Sequence, residues 1–132
     1  MHTRRRWLTL PLLLLPALTQ AAQAWQSAMQ RARLMRDEAV RAGDQPYGAV
    51  VLRSSQIVGE APSRVISANN PDAHAEREAL RDALRRLQSA DLTGCVLVST
   101  SRPCRLCEAA AAKMRIARMV YGDALTDAGP PL

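Results

Sequence analysis

Between residues 25 and 42, apolar side chains recur at Ala28, Met29, Ala32, Met35, Ala39 and Val40. This three-and-four spacing gathers one face of a helix, and Gly43 follows it as a stop. The period then changes. Gly48-Ala49-Val50-Val51-Leu52 is an apolar run of strand length, Ser54-Ser55-Gln56 supplies a polar turn, and Ile57-Val58-Gly59 starts a second run that Pro62 closes. A hairpin is expected there. Asn69-Asn70-Pro71-Asp72 has the composition of a loop.

Helical spacing returns over residues 73–87, where Ala75, Ala79, Leu80, Ala83, Leu84 and Leu87 form one stripe. Arg77, Arg81, Arg85 and Arg86 fall on its solvated face, with Asp82 placed to pair with Arg85 or Arg86 across one turn. Cys95-Val96-Leu97-Val98 reads as a strand, Pro103 opens a helix reaching Met114, and residues 117–121 give the last strand. Helix, hairpin, helix, strand, helix, strand predicts an α/β domain of three layers, a mixed central sheet with helices on both faces. A site is expected in loops at the strand ends.

Residues 1–24 break this pattern. Arg4, Arg5 and Arg6 precede an apolar run over residues 7–18 and a small-residue end, Ala22-Gln23-Ala24. That is the layout of a secretory signal peptide. The run is shorter than the ~20 residues a spanning helix needs, and Pro11 and Pro16 interrupt it, so no permanent membrane anchor is expected. Thr3-Arg4-Arg5-Arg6-Trp7-Leu8-Thr9 resembles the twin-arginine export signal, the general secretory route being the alternative. Either route places residues 25–132 outside the cytoplasm, with the periplasm as the expected compartment.

The 132 residues suit one domain. Lys and Arg exceed Asp and Glu by 18 to 12, but the leader holds three of the arginines, and from Trp25 onward the balance is 15 to 12. So small an excess does not make a nucleic-acid footprint. Two Trp, two Tyr and no Phe leave almost nothing for a base-stacking platform, and no nucleic-acid partner is expected.

An exported chain with three cysteines, Cys95, Cys104 and Cys107, cannot pair them all internally. Cys95 reads as a buried strand residue. His74 and the pair Cys104 and Cys107 stand at the N-termini of two predicted helices, where partial positive charge favours thiolates. One imidazole and two thiols make three ligands, and a zinc with a free fourth position for water is a catalytic zinc. Glu76, two residues past His74, can reach that water without ligating the metal, which suits a proton shuttle. The rival is a thiol oxidoreductase using the C-x-x-C pair; it leaves His74 and Glu76 without a role.

His-x-Glu followed about thirty residues later by Pro-Cys-x-x-Cys is the signature of zinc deaminases acting on nucleobases. Over roughly residues 26–127 the chain resembles the cytidine deaminase-like superfamily, in its branch of guanine deaminases and tRNA adenosine deaminases. The resemblance is carried by Pro46-Tyr47-Gly48-Ala49-Val50, Asn69-Asn70-Pro71-Asp72-Ala73-His74-Ala75-Glu76, Pro103-Cys104-Arg105-Leu106-Cys107 and Met119-Val120-Tyr121-Gly122. The Asn-Asn-Pro-Asp lead-in and Thr126-Asp127-Ala128 lean toward the guanine deaminases.

The resemblance implies the three-layer cytidine deaminase-like fold, zinc held by His74, Cys104 and Cys107, and Glu76 as catalytic acid and base. The implied enzyme is a hydrolase acting on the C–N bond of a cyclic amidine. It would release ammonia from a nucleobase, nucleoside or related heterocycle, with a guanine-like purine favoured. Substrate contacts are expected at Tyr47, Ala49, Ser63, Ala75 and Arg102, and a homodimer is expected. Ser63 stands where the family often carries Asn, which leaves the base open. Arg102 replaces a usual Glu, a positive charge that would suit a phosphate or carboxylate. The family's further helix and closing tail have no counterpart before Leu132, which leaves a third reading, a zinc-binding domain of this fold without catalysis.

Overall fold

The computed structural model describes residues 6–11 and 17–132. Its elements are α1 (Ala17–Arg41), β1 (Gly48–Arg53), β2 (Gln56–Pro62), α2 (Ala75–Leu87), β3 (Val96–Ser99), α3 (Arg105–Lys113), β4 (Arg118–Tyr121) and β5 (Thr126–Gly129). The five strands form one sheet in the order β2-β1-β3-β4-β5. β1 runs antiparallel to both β2 and β3, β3 is parallel to β4, and β4 is antiparallel to β5. The parallel pair requires a crossover, which α3 supplies. The expected mixed sheet is found.

Both faces of the sheet are covered, and this explains why β1 is an unbroken apolar run. Val50 and Leu52 join Val98 and Val120 under Ala28, Met29 and Ala32 of α1. Ala49 and Val51 join Leu97 and Met119 on the opposite face, under Ala79, Leu80 and Ala83 of α2 and Ala111 of α3. In a core without Phe, small residues let the helices sit close to the strands. A Cβ at Gly48 would lie 2.1 Å from the Ala32 carbonyl oxygen, and one at Gly59 would lie 2.6 Å from that of Ala79. Glycine is required where helix backbone meets strand backbone.

Two expected boundaries move. Residues 117–121 are not the last strand, because β5 pairs with β4 through Val120 opposite Asp127 and Tyr121 opposite Thr126. Thr-Asp-Ala-Gly has no apolar alternation and its first three residues are exposed, so only backbone pairing makes it a strand. The first helix begins at Ala17 rather than at residue 25. Residues 20–23 of this extension are exposed and the buried face starts at Ala28. Of the expected signal segment, residues 1–5 and 12–16 lie outside the described residues, while Trp7, Leu8 and Leu10 are exposed. Among the described residues no helix is long and apolar enough to cross a membrane.

The edge at β2 is closed by charge. Asp82 accepts a hydrogen bond from the Glu60 backbone N–H at 3.0 Å and pairs with both Arg85 and Arg86, so the expected one-turn pairing is made twice. The Glu60 carboxylate is gripped by Arg31 of α1 at 2.7 and 2.9 Å.

Candidate active site

Asn70 builds the turn that delivers the imidazole. Its side-chain oxygen accepts from the Asp72 N–H at 2.9 Å and its carbonyl accepts from the Ala73 N–H, which leaves His74 extended as the N-cap of α2. Cys104 is the N-cap of α3 and accepts from the Cys107 backbone N–H. A spacing of three residues on the first turn puts both sulfurs on one side, as expected. His74 Nδ1 lies 3.6 Å from Cys104 Sγ and 3.4 Å from Cys107 Sγ, with the two sulfurs 3.3 Å apart. Tetrahedral zinc with bonds of ~2.3 Å to sulfur and ~2.0 Å to nitrogen holds its ligand atoms roughly 3.5–3.8 Å apart. The three side chains therefore fit a zinc ion.

Glu76, on the first turn of α2, is buried at 4 % exposure. The Ser99 hydroxyl at the end of β3 donates to its Oε1 at 2.8 Å, and Oε2 lies 3.9 Å from Cys107 Sγ. Sequence reading missed Ser99; its one signal was a polar residue closing an apolar strand. Gln45, Tyr47, His74, Glu76, Ser101, Arg102 and Cys104 line a cavity of about 270 Å³. A carboxylate, three metal-binding groups and a hollow the size of a ring thus share one end of the sheet.

The two thiols differ. Burial would raise the Cys104 thiol, but hydrogen bonds from the backbone N–H and thiol of Cys107 outweigh it and hold Cys104 below its ordinary range. Cys107 is pushed up to about 12, first by burial and then by the Glu76 charge. The expectation that both ionise readily at helix N-termini holds for Cys104 and fails for Cys107, where burial dominates. Coordination to a cation removes such a proton outright.

Arg77 also departs from expectation. Its side chain is only 13 % exposed, with Nη1 3.2 Å from Asp72 and a buried Nε that has no hydrogen-bond partner, and its charge interacts with the Cys107 sulfur. The 3.6-residue period turns it beneath the metal ligands instead of into solvent.

Among the expected substrate contacts, Tyr47 and Arg102 line the cavity, together with Gln45 and Ser101, which sequence reading did not single out. Ala49 and Ala75 are fully buried in the apolar cluster. Ser63 is buried and its hydroxyl donates to Asp44 at 3.0 Å. None of these three is among the lining residues. Asp44 was likewise missed: its carboxylate also accepts from the N–H groups of Gln45 and Ser67 and ties the end of α1 to the loop after β2.

Residues 22–123 match the family described as cytidine and deoxycytidylate deaminase, zinc-binding region. The chain belongs to this deaminase family. The match contains all four groups of the cluster, and the pairing of an imidazole and a carboxylate with two thiols, which thiol exchange does not need, is explained by it.

The chain is 40% identical over 111 residues to a tRNA(Ile)-lysidine synthase of Deinococcus deserti, covering 83% of this chain and 21% of that protein. Over 79 residues it is 37% identical to a tRNA-specific adenosine deaminase of Aquifex aeolicus, covering 60% of this chain and 52% of the relative. With the guanine deaminase of Bacillus subtilis it shares 34% identity over 104 residues, 78% of this chain and 67% of the relative. The crystal structure of that guanine deaminase superposes with a TM-score of 0.70, covering 74% of this chain and 62% of the other. This deaminase domain thus spans about a fifth and about half of the first two relatives.

Proposed function

We propose that the chain is a zinc-dependent hydrolytic deaminase of a free aminated ring, with a guanine-like purine favoured. The observation that carries this reading is the convergence of His74, Cys104 and Cys107 on one point beside buried Glu76, with His74, Cys104 and Glu76 lining a cavity of about 270 Å³. The similarity to guanine deaminase over 78% of the chain supports the choice of ring.

Zinc held by the three side chains supplies the Lewis acidity that makes water a nucleophile at neutral pH. Glu76 moves the protons. Its Oε2 takes one from the water as the new C–O bond forms, and passes it to the ring nitrogen beside the reacting carbon. It then carries the second proton of the water, from the hydroxyl now on that carbon, to the amine as the C–N bond breaks, so that ammonia leaves and a carbonyl remains. The Ser99 hydroxyl occupies Oε1 throughout and leaves Oε2 facing the metal ligands. Tyr47, Gln45 and Ser101 bound the ring.

The same proposal places the enzyme in the periplasm after export through residues 1–24. The leader pattern supports this, as does the exposure of residues 20–23, which add nothing to the core. The open edge of β5 supports a homodimer.

Ammonia release by the zinc-loaded full-length chain, measured across guanine, adenine, cytosine and their nucleosides, tests the reading. Glu76→Ala is expected to lower turnover by about 10³-fold with zinc retained. Absence of release from every ring, with one zinc bound per chain, overturns it.

A further inference from the structure

Most arginines of this chain are neutralised. Among the described residues from Trp25 onward, each forms an ion pair with a carboxylate except Arg41, Arg53, Arg102 and Arg105. Of these four, only Arg102 lines the catalytic cavity. The other charged group in that wall, Glu76, is buried and engaged by Ser99, so it does not answer the arginine at the rim.

Arg102 also lines a second cavity of about 290 Å³, bounded further by Glu108, Met119 and Leu132. Glu108 is a carboxylate of the same wall, yet it accepts from the Leu132 N–H at 3.0 Å and makes no ion pair with Arg102. One unpaired guanidinium thus stands on the wall shared by two hollows, the first of which holds the chemistry.

We propose that Arg102 binds an anionic substituent of the substrate, so that the ring enters the catalytic cavity and a phosphate or carboxylate attached to it meets the guanidinium at the shared rim. The proposal rests on the deaminase reading and names the substrate class of that site. A guanidinium matches either anion as a planar fork of donors. Held in solvent it carries no burial cost, and it attracts an anionic ligand before the ring docks. Arg105 is the only other unpaired arginine beside the metal loop, too short a basic track for a polynucleotide backbone.

Binding can be read without turnover in the zinc-loaded full-length Glu76→Gln chain. Calorimetry compares guanosine, adenosine and cytidine with their 5′-monophosphates, and 9-methylguanine with 9-carboxymethylguanine. The first comparison detects a phosphate and the second a carboxylate. In at least one pair the charged ligand is expected to bind about fivefold more tightly, the scale of an exposed ion pair, and the ratio is expected to shrink with salt. Adding Arg102→Gln is expected to bring that ratio to one. Ratios near one in every pair, or a preference that survives Arg102→Gln, overturn the proposal. So does an RNA stem-loop that binds more tightly than every monomer. Ammonia release by the wild-type chain is a separate readout, so the deaminase reading can fail while the charge preference stands, and the reverse.

Discussion

A carboxylate proposed to shuttle protons has to be held still and kept dry, and Glu76 is both. The Ser99 hydroxyl donates to it at 2.8 Å, a much closer contact than the Cys107 thiol at 3.9 Å, and Glu76 and Ser99 are both buried. The serine is not among the residues that line the cavity; it fixes which oxygen faces the metal ligands. Ser99→Ala is expected to lower kcat by about tenfold, the worth of one buried hydrogen bond to a charged group, with KM and zinc content unchanged. Ser99→Thr is expected to restore it. Steady-state kinetics beside metal analysis check this, and an unchanged kcat in the alanine variant would reduce Ser99 to packing.

Between elements, the cavity depends on how the end of α1 is tied to the loop after β2. Asp44 makes that tie with one carboxylate, accepting from Gln45, Ser63 and Ser67. Burial would raise this carboxyl, but the N–H groups of Ser67 and Gln45 outweigh it and hold it well below the usual carboxylate range. As pH falls, the unfolded chain takes up this proton near the ordinary 3.8 and the folded chain only at lower pH. The tie therefore stabilises fully above that value and loses its contribution below it. Asp44→Asn is expected to cost about 1–3 kcal/mol at pH 7, with the deficit narrowing from about pH 5 to pH 3. Urea unfolding at several pH values measures it; a deficit that stays constant would mean that the charge is immaterial.

For the molecule as a whole, the metal ligands join helices that share few other contacts. His74 caps α2, while Cys104 and Cys107 open α3, the crossover between β3 and β4. Zinc bound there would tie the two helices of one face together at the end where the cavity opens. Chelation is expected to lower Tm by more than about 5 °C, and Cys107→Ala to reproduce the loss in a form that added zinc does not reverse. Because the Cys107 thiol is pushed up to about 12, zinc uptake at neutral pH has to expel its proton. Calorimetry in buffers of different ionisation enthalpy should therefore show proton release. Equal melting with and without chelator would make the metal catalytic only.

By itself the sequence determined the His-Cys-Cys cluster, the carboxylate beside it and the layered architecture, since each follows from short-range geometry. His-x-Glu lies within one helical turn, Cys-x-x-Cys caps and opens another, and changes of apolar period mark seven of the eight elements. What the tertiary structure decided lies between segments distant in the chain. Ser99 reaches Glu76 across 23 positions, Asp44 reaches Ser63 across 19, and Arg77 turns toward Cys107 instead of solvent. β5 exists only because β4 offers it backbone partners, and Ser63, which motif matching placed against substrate, is taken up by Asp44. Spacing along a chain fixes angle and distance only within a few residues; beyond that, packing of the two helix layers on the sheet sets which groups meet.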